Sequence, residues 1–345
     1  MSDRILQLDG LRALAFLAVL ISHLGLLPAG WMGVEVFFVL SGFLITSILR
    51  KRRAEPHPLR HFYANRVRRI LPPYLLCLAF SAVFFSISWR HVWLFYALPL
   101  ENVASLYHSS EIGPLGPLWS LAIEEQFYLL WPLLVFTLPR KALLWVLAAI
   151  LVLSPVLRMA ATPALPSFWA IFYLTPFRLD VIGAGSLVAL LYESPAACKR
   201  LKKCAKPMFL IAMAALVVAS RFGCNRESNS PLFNCLGYSV IIVMSAGILM
   251  WAAIEKGWLF SLLTVRPLRY IGRISYMAYL IHLPMISLLQ HIGLVHGVLH
   301  GARLAVVSVP FTFFFASASW YLIERPILYW NHPNKKSASE IASAA

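Results

Sequence analysis

LDGLRALAFLAVLISHLG (Leu8–Gly25) is long and apolar enough for a membrane helix, yet it carries Asp9 and Arg12 at its start and His23 near its end. Ionisable groups are costly in lipid, and those that persist there mark a pairing or a function. The chain around this stretch shows that it is a span. Of 345 residues, 60% are hydrophobic and 13% charged, with a mean hydropathy of +0.74, whereas soluble domains carry about a quarter charged residues. Apolar runs of about 17 to 25 residues, the length that crosses a bilayer, recur from end to end. They do not alternate as barrel strands do, so helices must satisfy the backbone. A cleaved secretory signal is a poor reading of the first run, because no small-residue cleavage site follows and a second span begins almost at once.

Spans are expected at about 8–27, 31–50, 70–88, 118–138, 142–160, 167–192, 207–221, 234–254, 267–290 and 302–323. About ten transmembrane helices place both termini on one side, and cations decide which. With the N-terminus cytoplasmic, the first internal loop holds Lys51, Arg52, Arg53, Arg60, Arg66, Arg68 and Arg69. Arg140 and Lys141, the run Lys199, Arg200, Lys202, Lys203 and Lys206, then Lys256, Arg266, Lys335 and Lys336 follow on the same side. The opposite loops hold only Arg90, Arg158, Arg221, Arg226 and Arg303. The formal charge of +16 is therefore mainly an orientation signal. The expected partner is the lipid bilayer, not nucleic acid. Both termini are expected in the cytoplasm, the class is an all-α integral membrane protein, and 1–330 reads as one membrane domain followed by a flexible tail, 331–345.

The outer segment at about 89–117 is rich in Pro and Gly and resists a spanning helix, though HVWLFYALPL could dip into the interface. Cys77 falls in a span and Cys198 and Cys204 in a cytoplasmic loop, while Cys224 and Cys235 bracket an outer segment. That pair could be bridged or free, since spacing does not give geometry.

Arg12 and His23 are eleven residues apart, which puts them on nearly one helix face about 16 Å apart along the axis. Asp9 lies one turn before Arg12, so Arg12 could be a snorkelling cation paired with it; His23, deeper on the same stripe, favours function. Glu35 opens the second span at a similar depth and could orient the imidazole or face outer water. Ser41 reads as a packing residue beside Gly42. Arg66 and Arg69 share a face at the cytoplasmic mouth of the third span, where they could grip phosphates or only set topology. Glu124 and Glu125 stand at the outer entrance of a span. Arg178 and Asp180 read as an intramembrane pair that holds helices together. IGRISYMAYLIHLPM supplies His282 and WYLIERPI supplies Glu324. His291, His296 and His300 cluster in an outer loop without a Cys or acid to complete a tetrahedral set, so no metal is expected.

LDGLRALAFLAVLISH, GVEVFFVLSGFLIT, FYANRVRRILPPY, PLWSLAIEEQFYLLWP, FRLDVIGAG, RISYMAYLIHLP and LIERPI together resemble the successive motifs of the acyltransferase-3 family of membrane acyltransferases. The resemblance runs in order over about residues 4–330. It implies ten core helices that move an acyl group, commonly acetyl from acetyl-CoA, to a hydroxyl of an extracytoplasmic sugar such as O-antigen, exopolysaccharide or peptidoglycan, at the bacterial inner membrane. It further implies that Arg12, Arg66 and Arg69 hold the CoA phosphates and that His23, oriented by Glu35, is the general base, by direct transfer or through an acyl-histidine. The family's second-helix acid is often Asp where this chain has Glu35. Some relatives add an extracytoplasmic hydrolase-like domain, which is not expected within these 345 residues. Three rival readings are a small glycosylated metabolite as acceptor, a proton-coupled transporter built on the same Arg, His and Glu, and a scaffold for polysaccharide synthesis. Outer aromatics such as Trp93, Tyr96 and Tyr107 could stack on sugars or belong to the interfacial belt.

Overall fold

The computed structural model describes residues 5–254, 256–293 and 300–329, with backbone alone at 300–302. The predicted tail at 331–345 with Lys335 and Lys336, His296 and the His300 side chain lie outside the described residues. Among those described, every regular element is helical. The long helices are α1 (Gln7–His23), α2 (Gly33–Lys51), α3 (Pro58–Phe84), α4 (Trp119–Thr137) and α5 (Arg140–Ala161). They continue as α6 (Leu179–Tyr192), α7 (Pro195–Arg221), α8 (Tyr238–Ile254), α9 (Arg266–His291) and α10 (His300–Ser319).

Six helical stretches among the described residues are long and apolar enough to cross a membrane: Pro28–Lys51, Pro58–Phe84, Arg140–Ala164, Pro195–Arg221, Phe233–Ile254 and Arg303–Tyr329. The chain is an all-helical membrane protein. Helices α1 and α6 have only 17 and 14 residues, while α4 and α9 dilute their apolar content with Glu124 and Glu125 or with Arg266, Arg269 and Arg273. Large apolar side chains on the outside of α5 and α7, such as Trp145, Val152, Ile211 and Val218, are exposed and suit contact with lipid.

Three helices depart from the predicted spans. Helix α3 starts twelve residues earlier than expected, at Pro58, a residue suited to the first helical turn; Arg66 and Arg69 therefore ride on the spanning helix itself. Helix α7 starts at Pro195, with the Ser194 Oγ capping the Ala197 amide at 3.4 Å, so its lysine run is a helical overhang. The expected span 167–192 is broken. A short helix, Trp169–Tyr173, ends at extended Leu174, a tight turn covers Thr175–Phe177, and α6 begins after Arg178. Pro176 explains the break, since it has no amide to donate to a continuing helix and its ring would clash with the carbonyl four residues earlier.

The outer segment forms two short helices, Trp89–Ala97 and Glu101–Tyr107. Glu101 is 1% exposed, and burial pushes its carboxyl up to about 8. The Tyr74 hydroxyl lies 2.9 Å from the Tyr96 carbonyl and 2.6 Å from Glu101 Oε1. A protonated Glu101 completes the pattern, its proton going to the Tyr74 oxygen and the phenolic proton to the Tyr96 carbonyl. All five cysteines are free.

Two helix pairs organise the core. Helices α2 and α6 run parallel at a constant sequence offset: Glu35 meets Arg178, Gly42 O meets Ser186 Oγ at 3.3 Å, and Arg50 meets Glu193 at 2.9 Å. They touch at Gly42 and Gly185, each packed on the other helix's backbone (Ile182 and Val39), where any side chain would collide. Helices α1 and α9 also run parallel, with Asp9 backbone against Gly272 at one end and His23 against His282 at the other.

Candidate functional site

The α1–α9 seam carries the predicted stripe. At its first end Arg12 is buried, within electrostatic reach of Asp9, Glu124 and Arg69. Arg69 is buried too, its Nη1 3.2 Å from Glu324 Oε2 and its guanidinium over the Tyr276 and Trp320 rings. Arg66 lies over Phe62 and Tyr128. The structure thus brings Arg12, Arg66 and Arg69 together, as expected, with Asp9, Glu124 and Glu324 among them. The buried Nε of Arg69 has no hydrogen-bond partner.

Glu124 does not stand at an entrance. It accepts from the Ser41 hydroxyl at 2.8 Å and from the Tyr128 hydroxyl at 2.8 Å, level with Arg12. About one and a half turns of helix, from Trp119, carry it there from the start of α4. Glu125 is half-buried within reach of the Tyr276 ring.

A cavity of about 60 Å³ adjoins this cluster, room for several waters. Arg12, Ser41, Ser120, Glu124, Ser275 and Tyr279 are among its polar lining. The Tyr279 ring packs on His282 with centroids 5.5 Å apart, so the cavity ends one side chain short of the histidines.

At the far end, His23 is the last residue of α1 and is exposed, whereas His282 is fully buried. His282 Nε2 lies 3.1 Å from His23 Nδ1. The protons can be assigned from the carbonyls, which only accept. Val19 O is 3.1 Å from His23 Nδ1 and Tyr279 O is 2.5 Å from His282 Nδ1, so both Nδ1 atoms carry a proton. The one His23 Nδ1 proton is then shared between Val19 O and His282 Nε2 in a three-centre bond, and His23 Nε2 keeps its lone pair for chemistry.

Two expected partnerships are corrected. Glu35 does not orient His23: it is fully buried and ion-paired with Arg178, because α6 runs parallel beside α2. Arg178 and Asp180 do not pair with each other. Asp180 binds Arg158, at 3.0 Å to Nη1 and 2.7 Å to Nη2, and that guanidinium also donates to the carbonyls of Phe177 and Asn234. Arg158, expected in an outer loop, is 0% exposed near the end of α5. Its signal in the sequence was a charge attached to a long apolar run, with Asp180 the one acid in another. Among the described residues, no group of three or more His, Cys, Asp and Glu side chains is arranged to hold a metal.

The sequence that builds this all-helical bundle, with its arginine cluster and histidine pair at opposite ends of one seam, matches a known family. The acyltransferase domain family matches residues 5–325, and the chain belongs to that acyltransferase-3 family. Among its relatives are YrhL of Bacillus subtilis, 31% identical over 358 residues, and the peptidoglycan O-acetyltransferase OatA of Listeria monocytogenes, 31% identical over 354. The O-acetyltransferase OatA of Staphylococcus aureus is 29% identical over 352 residues. Each alignment covers 93% of this chain but only 54–56% of the relative, so the chain spans about half the length of these relatives. No solved structure matches it.

Proposed function

We propose that the chain is a membrane O-acetyltransferase that takes acetyl from acetyl-CoA at the arginine end of the α1–α9 seam and delivers it to a carbohydrate hydroxyl at the histidine end. The observation that carries this reading is the seam itself, with Arg12, Arg66 and Arg69 at one end, His23 and His282 at the other, and between them a largely apolar cavity with Arg12, Glu124 and three serines in its lining. Family membership and the names of the relatives support the reaction class. The peptidoglycan in the Listeria relative's name makes a cell-wall glycan the first acceptor to try, ahead of O-antigen and exopolysaccharide. The inner membrane is the expected location.

The donor's chemistry fits the arginine end. A phosphate oxygen would find the open Nε of Arg69 and guanidiniums already flattened on rings. At the other end, the acceptor hydroxyl gives its proton to His23 Nε2 as its oxygen attacks the thioester carbonyl carbon. The C–S bond breaks, and the leaving thiolate takes the proton from His23, which turns over unchanged. His282 holds the imidazole in the reactive tautomer, the role first expected of Glu35. A small glycosylated acceptor would use the same groups.

The test is transfer of labelled acetyl from acetyl-CoA to cell-wall glycan in proteoliposomes. His23→Ala should reduce kcat by about 10²–10⁴-fold, and Arg69→Ala should raise KM for acetyl-CoA. Wild-type turnover by a correctly inserted His23→Ala protein would overturn the reading. Absence of any CoA binding would bring the transporter forward.

A further inference from the structure

Three arginines surround Tyr238 beyond the histidine end of the bundle. Arg158 and Arg178 lie over its ring at 5.4 and 5.0 Å, and Arg226 is within electrostatic reach of it. Asp180 neutralises the first and Glu35 the second. Glu227 and the already paired Glu35 reach Arg226 only through space, no carboxylate lies within 4 Å of it among the described residues, and its Nε is buried without a hydrogen-bond partner. Four rings cage it: Trp31 at 4.7 Å, Phe168 and Phe172 at 5.2 Å, and Trp169 at 5.9 Å. The residue stays half-exposed, and its charge reaches His23.

The cage is held from both sides. The turn Arg226–Ser228 is closed by Asn225, whose Oδ1 accepts from the Ser228 amide at 3.0 Å, and Asn229 donates to the Leu165 carbonyl at 3.3 Å. Trp169 stacks on Tyr173 with centroids 5.1 Å apart and interplanar angle 20°, and Trp169 is 40% exposed. A flat aromatic platform beside a guanidinium that no carboxylate touches suits a pyranose carrying a carboxylate: the ring face packs on the aromatics, and the acid takes the guanidinium fork.

We propose that Arg226, with Trp169 and Trp31, forms the acceptor subsite and selects an acidic sugar, one bearing a carboxylate near the hydroxyl to be acylated. This rests on the acyltransferase reading for its purpose but not for its test. Binding of a glucuronate-containing disaccharide and of its neutral glucose counterpart should be measured by saturation-transfer NMR on the full chain in nanodiscs, without acetyl-CoA. The acidic sugar should bind at least about tenfold more tightly than the neutral one, a preference that Arg226→Gln removes and Arg226→Lys partly keeps. Trp169→Ala should weaken both sugars alike, which checks the platform independently if Arg226→Gln fails to fold. Equal binding of the two sugars, or a preference unchanged in Arg226→Gln, overturns the proposal, as does competition by phosphatidylglycerol vesicles with no sugar binding, which would make Arg226 a lipid-phosphate contact. Acyl transfer measured in parallel separates the failures: transfer without an Arg226-dependent preference sinks the subsite alone, and the preference without transfer sinks the enzyme reading alone.

Discussion

Replacing Asp180 with alanine tests the most heavily committed charge in the bundle. Arg158 is 0% exposed and spends its donors on the Asn234 carbonyl (2.6 Å), the Phe177 carbonyl and both oxygens of Asp180. Asp180→Ala removes the two charge-assisted bonds and leaves a guanidinium buried with only two carbonyls and the Tyr238 ring for company. Breaking a buried pair in this way costs about 3–5 kcal/mol. Arg158→Met strands the carboxylate instead and also leaves the Phe177 and Asn234 carbonyls without this donor, about 1–3 kcal/mol each. The double variant has no unpaired charge, so only the carbonyl loss should remain. It should therefore be more stable than the sum of the singles by a few kcal/mol. The assay is apparent melting in lipid nanodiscs followed by tryptophan fluorescence. Asp180→Ala should melt lower by on the order of 5–10 °C, and adding Arg158→Met to it should lower the melting temperature by much less than Arg158→Met does alone. Melting within a degree of wild type for Asp180→Ala, or simple additivity in the double variant, would refute the reasoning.

Three further predictions follow from named contacts. The folded-state carboxyl of Glu101 is raised to about 8 from an ordinary 4.5, so its contribution to stability is complete below about pH 4.5 and is lost as pH rises through 8; Glu101→Gln should flatten that decline in a melting-versus-pH series, and an unchanged slope would refute it. A methyl group at Gly42 would meet the Ile182 carbonyl, so Gly42→Ala should destabilise by about 1–3 kcal/mol or more in the same melting assay. His282→Ala should lower kcat for acetyl transfer by about ten- to a hundredfold with KM for acetyl-CoA unchanged, and His282→Gln, which keeps an acceptor for His23 Nδ1–H, should restore part of it; an unchanged kcat in the alanine variant would remove His282 from the mechanism.

Features that depend on local pattern were legible in the sequence. The Arg12–His23 stripe is a matter of helical period, and both residues do face one neighbour, α9. The gathering of Arg66 and Arg69 followed from their three-residue spacing. What the sequence hid were pairings across the chain. Glu35 lies twelve residues from His23 but answers to Arg178, 143 residues away, and His282 meets His23 across 259. No periodicity encodes which helix becomes a neighbour. Arg158 was obscured for a different reason: counting cations for topology treats each as solvated, whereas this one is paired inside the bundle. The break at Leu174–Arg178 was half-visible, since TPF contains the proline but the apolar residues around it read on as a single span.

The fixed offset between α2 and α6 has a bearing on which changes of chain length the protein can absorb. Glu35 with Arg178, Gly42 with Ser186 and Arg50 with Glu193 lie 143, 144 and 143 residues apart, strung along the two rods like rungs. Residues lost or gained between Arg52 and Phe177, in the exposed stretch near Glu55 for instance, change the number but leave the rungs facing one another. One residue inserted between Asp180 and Gly185 instead turns everything beyond it by about 100°. Ser186 would leave Gly42 and Glu193 would leave Arg50 in a single step, with a side chain rotated into the place Gly185 now keeps clear. Length variation is therefore admissible in the connections and forbidden within these two helices, which keep their register only as one unit.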